Sequence, residues 1–239
     1  MPSNLKRARP AAALAAAALI AACAGCSSPS SSSGPDHGGT TPATSKPADA
    51  GQRPAQAAPA GFKWAGSDTM LVWVAIPQRW VALNLAQVSV GQATRQFATT
   101  GIGYSALRAD LTSLKEEGAL FFADRGSGTT SAHGFTTNAS ALCQRSAGST
   151  TIAGLEAAMR AEYAQIKARI VTVTPASIAG GKAFAARLAL TASAGYGLTE
   201  LQVVALSDTG RTCIVTFTTD DPATFLPIFE QAAATIEVG

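Results

Sequence analysis

The chain has 239 residues, with 18 Lys or Arg against 15 Asp or Glu. Lys6, Arg7 and Arg9 account for the whole basic excess and no acid accompanies them, so everything after them is formally neutral. It therefore lacks the basic stripe that nucleic-acid binding requires, and nucleic acid is excluded as a partner.

Behind the basic N-terminus, Ala11 to Ala22 is almost pure alanine, with Leu14, Leu19 and Ile20 as its only large apolar residues. About twelve residues is the length of a signal-peptide apolar region, whereas a spanning helix needs about twenty. The run ends in Ile20-Ala21-Ala22-Cys23. That is the order of a bacterial lipobox: an aliphatic residue, two small residues, and a cysteine whose thiol takes a diacylglyceryl unit. Residues 1–22 are thus expected to be a lipoprotein signal peptide, with Cys23 acylated. Cys26 is the competitor, because Ala24 and Gly25 precede it, but Cys23 stands where an aliphatic residue is wanted. The alternative to both is an ordinary secretory signal with two incidental cysteines. Acyl chains hold a protein at a membrane through about 0.8 kcal/mol per buried methylene. The expected location is the outer, extracytoplasmic face of the cell membrane.

Residues 23–60 read as a lipid-anchored disordered linker. From Ala24 to Ala60 there is no Val, Ile, Leu, Met, Phe, Tyr or Trp, while Ser27 to Ser33 is nearly all serine and Pro29, Pro35, Pro42, Pro47, Pro54 and Pro59 recur. Such a segment buries too little apolar area to offset chain entropy. A coil of this length spans roughly 30–35 Å and about 120 Å when drawn out. His37 falls within it and is read as inert.

Residues 61–239 form the expected domain, long enough for one sizeable core. Met70 to Ile76 is an apolar run stopped by Pro77 and reads as a strand. Trp80 to Leu83 resumes after the turn. Val88 to Thr99 and Ser105 to Glu117 read as helices, the second with Leu107, Leu111 and Leu114 in helical spacing and Gly118 as C-terminal cap. Ala119 to Ala123 is a short strand, and Gly126 to Gly134 a Gly/Ser/Thr loop. Phe135, Ala139, Ala141 and Cys143 share one parity of a half-buried strand. Ile152, Leu155, Met159, Tyr163 and Ile166 make a helical stripe with Ser149 or Thr150 as N-cap. Ile170 to Val173 is a strand, and Gly180-Gly181 turns into Lys182 to Leu190. Leu198 to Leu206 and Arg211 to Thr218 flank the turn Asp208-Thr209-Gly210. A last helix carries Phe225, Phe229, Ala232 and Ile236 on one side. Asp221-Pro222 suits its start, although Pro227 would move the start of the regular helix later.

Turn-linked strands with covering helices predict an α+β domain: a largely antiparallel sheet sandwiched by helices. Several segments carry a resemblance: Ile76-Pro77-Gln78-Arg79-Trp80, the helix from Ile152, Gly180-Gly181-Lys182-Ala183, Arg211-Thr212-Cys213-Ile214-Val215-Thr216-Phe217-Thr218, and the closing helix ending in Ile236. On these the domain resembles the PsbP-like α/β/α fold, and in particular the LpqN-type lipoproteins of actinobacteria. The resemblance implies an accessory or partner-binding role, with no shared catalytic set to carry over.

The chemistry available to the domain is sparse. Cys143 and Cys213 are its two cysteines, and an exported chain meets an oxidising compartment, so they are expected to pair. A loop of about 70 residues closed this way stabilises by about 4 kcal/mol in the chain-entropy account; the alternative is two small buried side chains that never meet. One histidine, His133, and no Cys-x-x-Cys spacing leave no zinc set. His133 lies on a Gly/Ser loop with no Gly-x-Ser-x-Gly elbow, against a serine nucleophile. Gly180-Gly181-Lys182 is no phosphate loop, and Asn138-Ala139-Ser140 is read as a chance sequon. Glu116-Glu117 read as a solvated helix end and Asp220-Asp221 as a cap. Trp73 and Trp80 are expected in the core, with Trp64 over a sheet edge; exposed tryptophans would instead stack a sugar or acyl chain. No catalytic residue, metal or cofactor is assigned. The functional expectation is a non-catalytic binding or accessory domain whose partner is an envelope protein, lipid or glycan; the alternative is an envelope hydrolase using a carboxylate pair.

Overall fold

A computed structural model describes residues 54–97, 101–147, 150–192 and 194–239. The leader, Cys23, Cys26, His37 and most of the expected linker lie outside the described residues. Ten strands and five helices are described. The strands are β1 (Phe62–Ser67), β2 (Val72–Pro77), β3 (Val81–Asn84), β4 (Leu120–Ala123), β5 (Asn138–Arg145), β6 (Arg169–Ile178), β7 (Gly181–Thr191), β8 (Gly197–Ser207), β9 (Arg211–Thr219) and β10 (Glu237–Val238). The helices are α1 (Val90–Thr94), α2 (Gly101–Glu116), α3 (Ser127–Thr130), α4 (Ile152–Gln165) and α5 (Pro222–Ala233).

Seven strands form the main sheet in the order β3-β4-β5-β9-β8-β7-β6, and β1-β2-β10 form a second, three-stranded sheet. Every strand pair is antiparallel. One face of the main sheet packs under α1, α2 and α4 through Leu107, Leu111, Leu114, Leu155 and Met159. The other face carries Ala139, Ala141, Val203, Val215 and Phe217 against Phe225 and Phe229 of α5 and Val72, Val74 and Ile76 of β2. The expected antiparallel α+β sandwich is therefore present. Its second cover, however, is half sheet: β1 and β10 were not expected, and with β2 they share that face with α5.

The local differences have local causes. The helix expected over Val88 to Thr99 is only Val90–Thr94, opened by a reciprocal capping box between Ser89 and Gln92. The cap of α4 is Thr151, whose side chain accepts from the Gly154 N–H, and not Ser149 or Thr150. The loop Gly126 to Gly134 contains the single helical turn α3. Helix α5 begins at Pro222 and runs through Pro227, because Asp221 accepts from Thr224 and fixes the first turn. Pro227 is exposed, so the carbonyl it leaves without a donor faces water. Strand β6 runs on through Pro175 to Ile178, which an edge strand tolerates. Gly118 ends α2 at φ +74°, as expected of the cap. Gly180 adopts φ +81° in the β6–β7 turn, and a side chain there would strike the Val238 backbone carbonyl of β10.

Trp80 is 1% exposed in the core. Trp73 is half-buried beside Gly66, where its ring fills the space a Cβ would need. Trp64 lies on the edge strand β1, and its indole N–H donates to the Gln56 carbonyl at 2.7 Å. The end of the expected linker thus lies against the domain.

Candidate functional site

Two polar constellations stand out, one open and one closed. The open one is a cleft of about 390 Å³ at one end of the main sheet, lined among others by Ser127, Ser131, His133, Asp220, Asp221 and Phe225. Its volume lies in the range of small-molecule sites, roughly 300–1,000 Å³. The α3 loop is tied to the β9–α5 junction across it. The Ser131 hydroxyl donates to the Asp220 carboxylate and accepts the His133 and Phe135 N–H groups at 3.0 and 2.9 Å. Thr137 and Thr219 share a hydroxyl–hydroxyl bond of 2.9 Å. Ser127 accepts from the Thr137 N–H at 2.8 Å. Next to it, Arg79 and the buried Asp124 form an ion pair at 2.8 Å.

The His133 ring stacks on Tyr196 with centroids 4.4 Å apart and planes 7° from parallel. Phe135 meets Tyr196 edge-on. The imidazole is therefore engaged with an aromatic face, while the neighbouring serine hydroxyl is committed to a carboxylate, so no serine–histidine relay is assembled. Burial, then the charges of Asp220 and Asp110, push the Tyr196 phenol up. Of the two expected cap residues, Asp221 caps α5, while Asp220 instead holds the α3 loop and lines the cleft. The cleft lining contains no Lys or Arg.

The closed constellation lies between the main sheet and its helices. Register places Thr218 opposite Glu200 and Asn138, and Thr216 opposite Gln202 and Ser140. These positions alternate with Leu201, Val203, Val215 and Phe217, which point to the other face. The helix-facing side thus carries a polar block within an otherwise apolar core. Glu200 and Gln202 are both 0% exposed. The Gln202 amide donates to the Tyr163 hydroxyl at 2.9 Å and to Thr216 at 3.2 Å. Tyr163 and Thr218 each donate to Glu200 at 3.4 Å, long for hydroxyl–carboxylate bonds.

Two further acids approach from the helices, Asp110 on α2 and Glu162 on α4. Each has one buried oxygen without a hydrogen-bond partner, as does the Gln202 carbonyl. Burial pushes Asp110 up to about 7 and Glu162 up to about 7. Burial likewise pushes Glu200 up to about 8, with the Asp110 and Glu162 charges acting in the same direction against the hydrogen bonds from Thr218 and Tyr163. Glu117, expected as a solvated helix end, is half-buried and raised by burial and by Glu116.

Cys143 and Cys213 are joined. They sit directly opposite one another on β5 and β9, with Cα atoms 4.0 Å apart. Ala139, Ala141 and Cys143 keep the expected parity, and Cys213 faces the same side from β9, but Phe135 precedes β5 and packs against the opposite, helix-side core, because the alternation begins only at Asn138. Among the described residues no group of three or more His, Cys, Asp or Glu could hold a metal. Nor is any described helix long and apolar enough to cross a membrane.

The chain matches no protein-family profile and no curated protein sequence. Solved structures similar to it include the solution structure of cyanobacterial PsbP (CyanoP) from Synechocystis, at 13% identity over 75% of this chain and 94% of that one, with a TM-score of 0.47. A protein of unknown function from Pseudomonas aeruginosa, PA94, is similar at 14% identity over 73% of this chain and 94% of that one, with a TM-score of 0.38.

Proposed function

We propose that the chain is a lipid-anchored envelope protein of the LpqN type, held at the outer membrane face through Cys23, whose domain binds an envelope component without transforming it. Three things support this reading. The leader ends in Ile20-Ala21-Ala22-Cys23. The Cys143–Cys213 bond suits an oxidising compartment. The observation that carries the binding role is the open polar cleft between the α3 loop and the start of α5. Its acids are committed structurally, Asp220 to Ser131 and Asp221 to the helix cap, which favours a recognition surface over a carboxylate-pair hydrolase.

Photo-cross-linking in membranes tests the proposal. A photoreactive residue replacing the exposed Ala223 in the cleft should yield an adduct, identified by mass spectrometry, that a probe at the exposed Ser177 on β6 does not. Asp220→Asn should diminish that adduct. Equal labelling from both positions, or none from Ala223, overturns the cleft as the binding site. The anchor has its own test: Cys23→Ala should abolish fatty-acid labelling and release the domain, while Cys26→Ala should do neither.

A further inference from the structure

The acids beneath the helices have no counter-charge. Glu200 is faced by Asp110 from α2, Glu162 and Tyr163 from α4, Thr218 from β9, Leu188 from β7 and Gln202 on its own strand. The charges acting on it are both acidic. Of the cations on the covering helices, Lys115 of α2 donates to the Leu85 and Val88 carbonyls, Arg160 of α4 pairs with Glu156, and Arg108 of α2 is exposed on the outer side of its helix. Arg187 of β7 lies on the opposite face, in a groove beside Glu230 of α5. An ionised Glu200 would therefore sit fully buried with two long hydrogen bonds and like charges for neighbours, an arrangement costing several kcal/mol.

Relief is available in one direction. Glu200 is fixed in the sheet by pairing with β7 and β9 on both sides, and β9 is held to β5 by the disulfide. Asp110 and Glu162 ride on helices, which touch the sheet only through side chains. We propose that Asp110, Glu162 and Glu200 form a proton-operated clasp: protonated, they let α2 and α4 seat on the sheet; ionised, they lift the two helices from it while the sheet persists. The sign follows from linkage. Each carboxyl is raised above its unfolded range, so its stabilisation is complete at low pH, fades as pH rises, and is lost above the raised value, about 8 for Glu200.

Hydrogen exchange of the full, disulfide-intact chain, corrected for intrinsic rates, reads the clasp. Between pH 5 and pH 7 the amides of α2 and α4 should lose protection by up to about tenfold per pH unit for each coupled carboxyl, and between pH 7 and pH 8 through Glu200 alone. Those of β8 and β9 should keep theirs. Glu200→Gln, which keeps the shape and cannot ionise, should flatten the slope, and adding Asp110→Asn and Glu162→Gln should abolish it. A flat profile in the unmodified chain overturns the clasp. So do equal losses in helices and strands, or an unchanged slope in Glu200→Gln. Should Glu200→Gln not fold, Glu162→Gln at a half-buried position gives the same reading, with a slope flattened between pH 5 and 7.

Discussion

The two faces of the main sheet are made by the same strands and built on different terms. On β8, Leu201, Val203 and Ala205 point to one side and Glu200 and Gln202 to the other. The first face is closed by three phenylalanines, Phe217, Phe225 and Phe229, with Phe229 at 5.3 Å from the Phe217 ring centre, and by a covalent bond between β5 and β9. Its buried cluster, among the described residues, is built from apolar side chains and the bonded cysteines. The second face is apolar around its margin and polar at its middle, where hydrogen bonds, burial and like charges compete. One layer is insensitive to its surroundings, and the other reports them.

The difference is broken most strongly on the apolar face. Phe229→Ala should destabilise the domain by about 3–5 kcal/mol, the usual cost of emptying a buried aromatic site, because its ring is 0% exposed and meets Trp80, Phe217 and Phe225. Denaturant midpoints at pH 6 and pH 8 should fall alike. Replacing both Cys143 and Cys213 by Ser should cost about 2–5 kcal/mol, again without changing the pH dependence. Two free thiols in the oxidised, denatured domain (residues 61–239), whose only cysteines are these two, would show that the bond does not form in solution.

On the helical face the cost should be smaller and its character different. Gln202→Leu removes the donor that holds the Tyr163 hydroxyl and Thr216. Leaving those buried groups without it costs about 1–3 kcal/mol, measurable by denaturant titration. Because Tyr163 also donates to Glu200, the loss should be accompanied by a changed pH slope, which neither apolar-face change produces.

This asymmetry explains what could be read from sequence. Parity on Ala139, Ala141 and Cys143 located the apolar face, although Phe135, assigned to the same parity, lies on the other one, and the expectation of export with two cysteines pointed to the disulfide. Alternation is a local signal, and a directly paired position needs only the right strands to be neighbours. The polar block carried a signal that was passed over: Glu200 and Gln202 stand two residues apart inside a long apolar strand, where an acid has no local reason to be. Its partners, Asp110 and Tyr163, lie on separate helices and become neighbours only through the fold. The cleft is similar, since Ser131 meets Asp220 across 89 residues. Strands β1 and β10 were missed for another reason. Phe62–Ser67 contains Gly66 and Lys63 in six residues, and Glu237–Val238 is two residues long, so neither offers a period to read.

The smallest expected effect lies at the domain boundary. Composition places the start of the fold near Gly61, yet the Trp64 indole reaches back to the Gln56 carbonyl and the Phe62 N–H to Pro59. A chain beginning at Gly61 loses both bonds, together with whatever apolar cover residues 54–60 give the indole. Backbone hydrogen bonds in partly exposed sites contribute about 0.5–1.5 kcal/mol each. Two such bonds at the rim of the domain are a small part of its stability, so truncation should shift the melting temperature by no more than a few degrees. Trp64 sits on β1, which belongs to the cover of the apolar face, and so any shift should be the same at pH 6 and pH 8. A shift that grew with pH would mean that the segment supports the helical face instead.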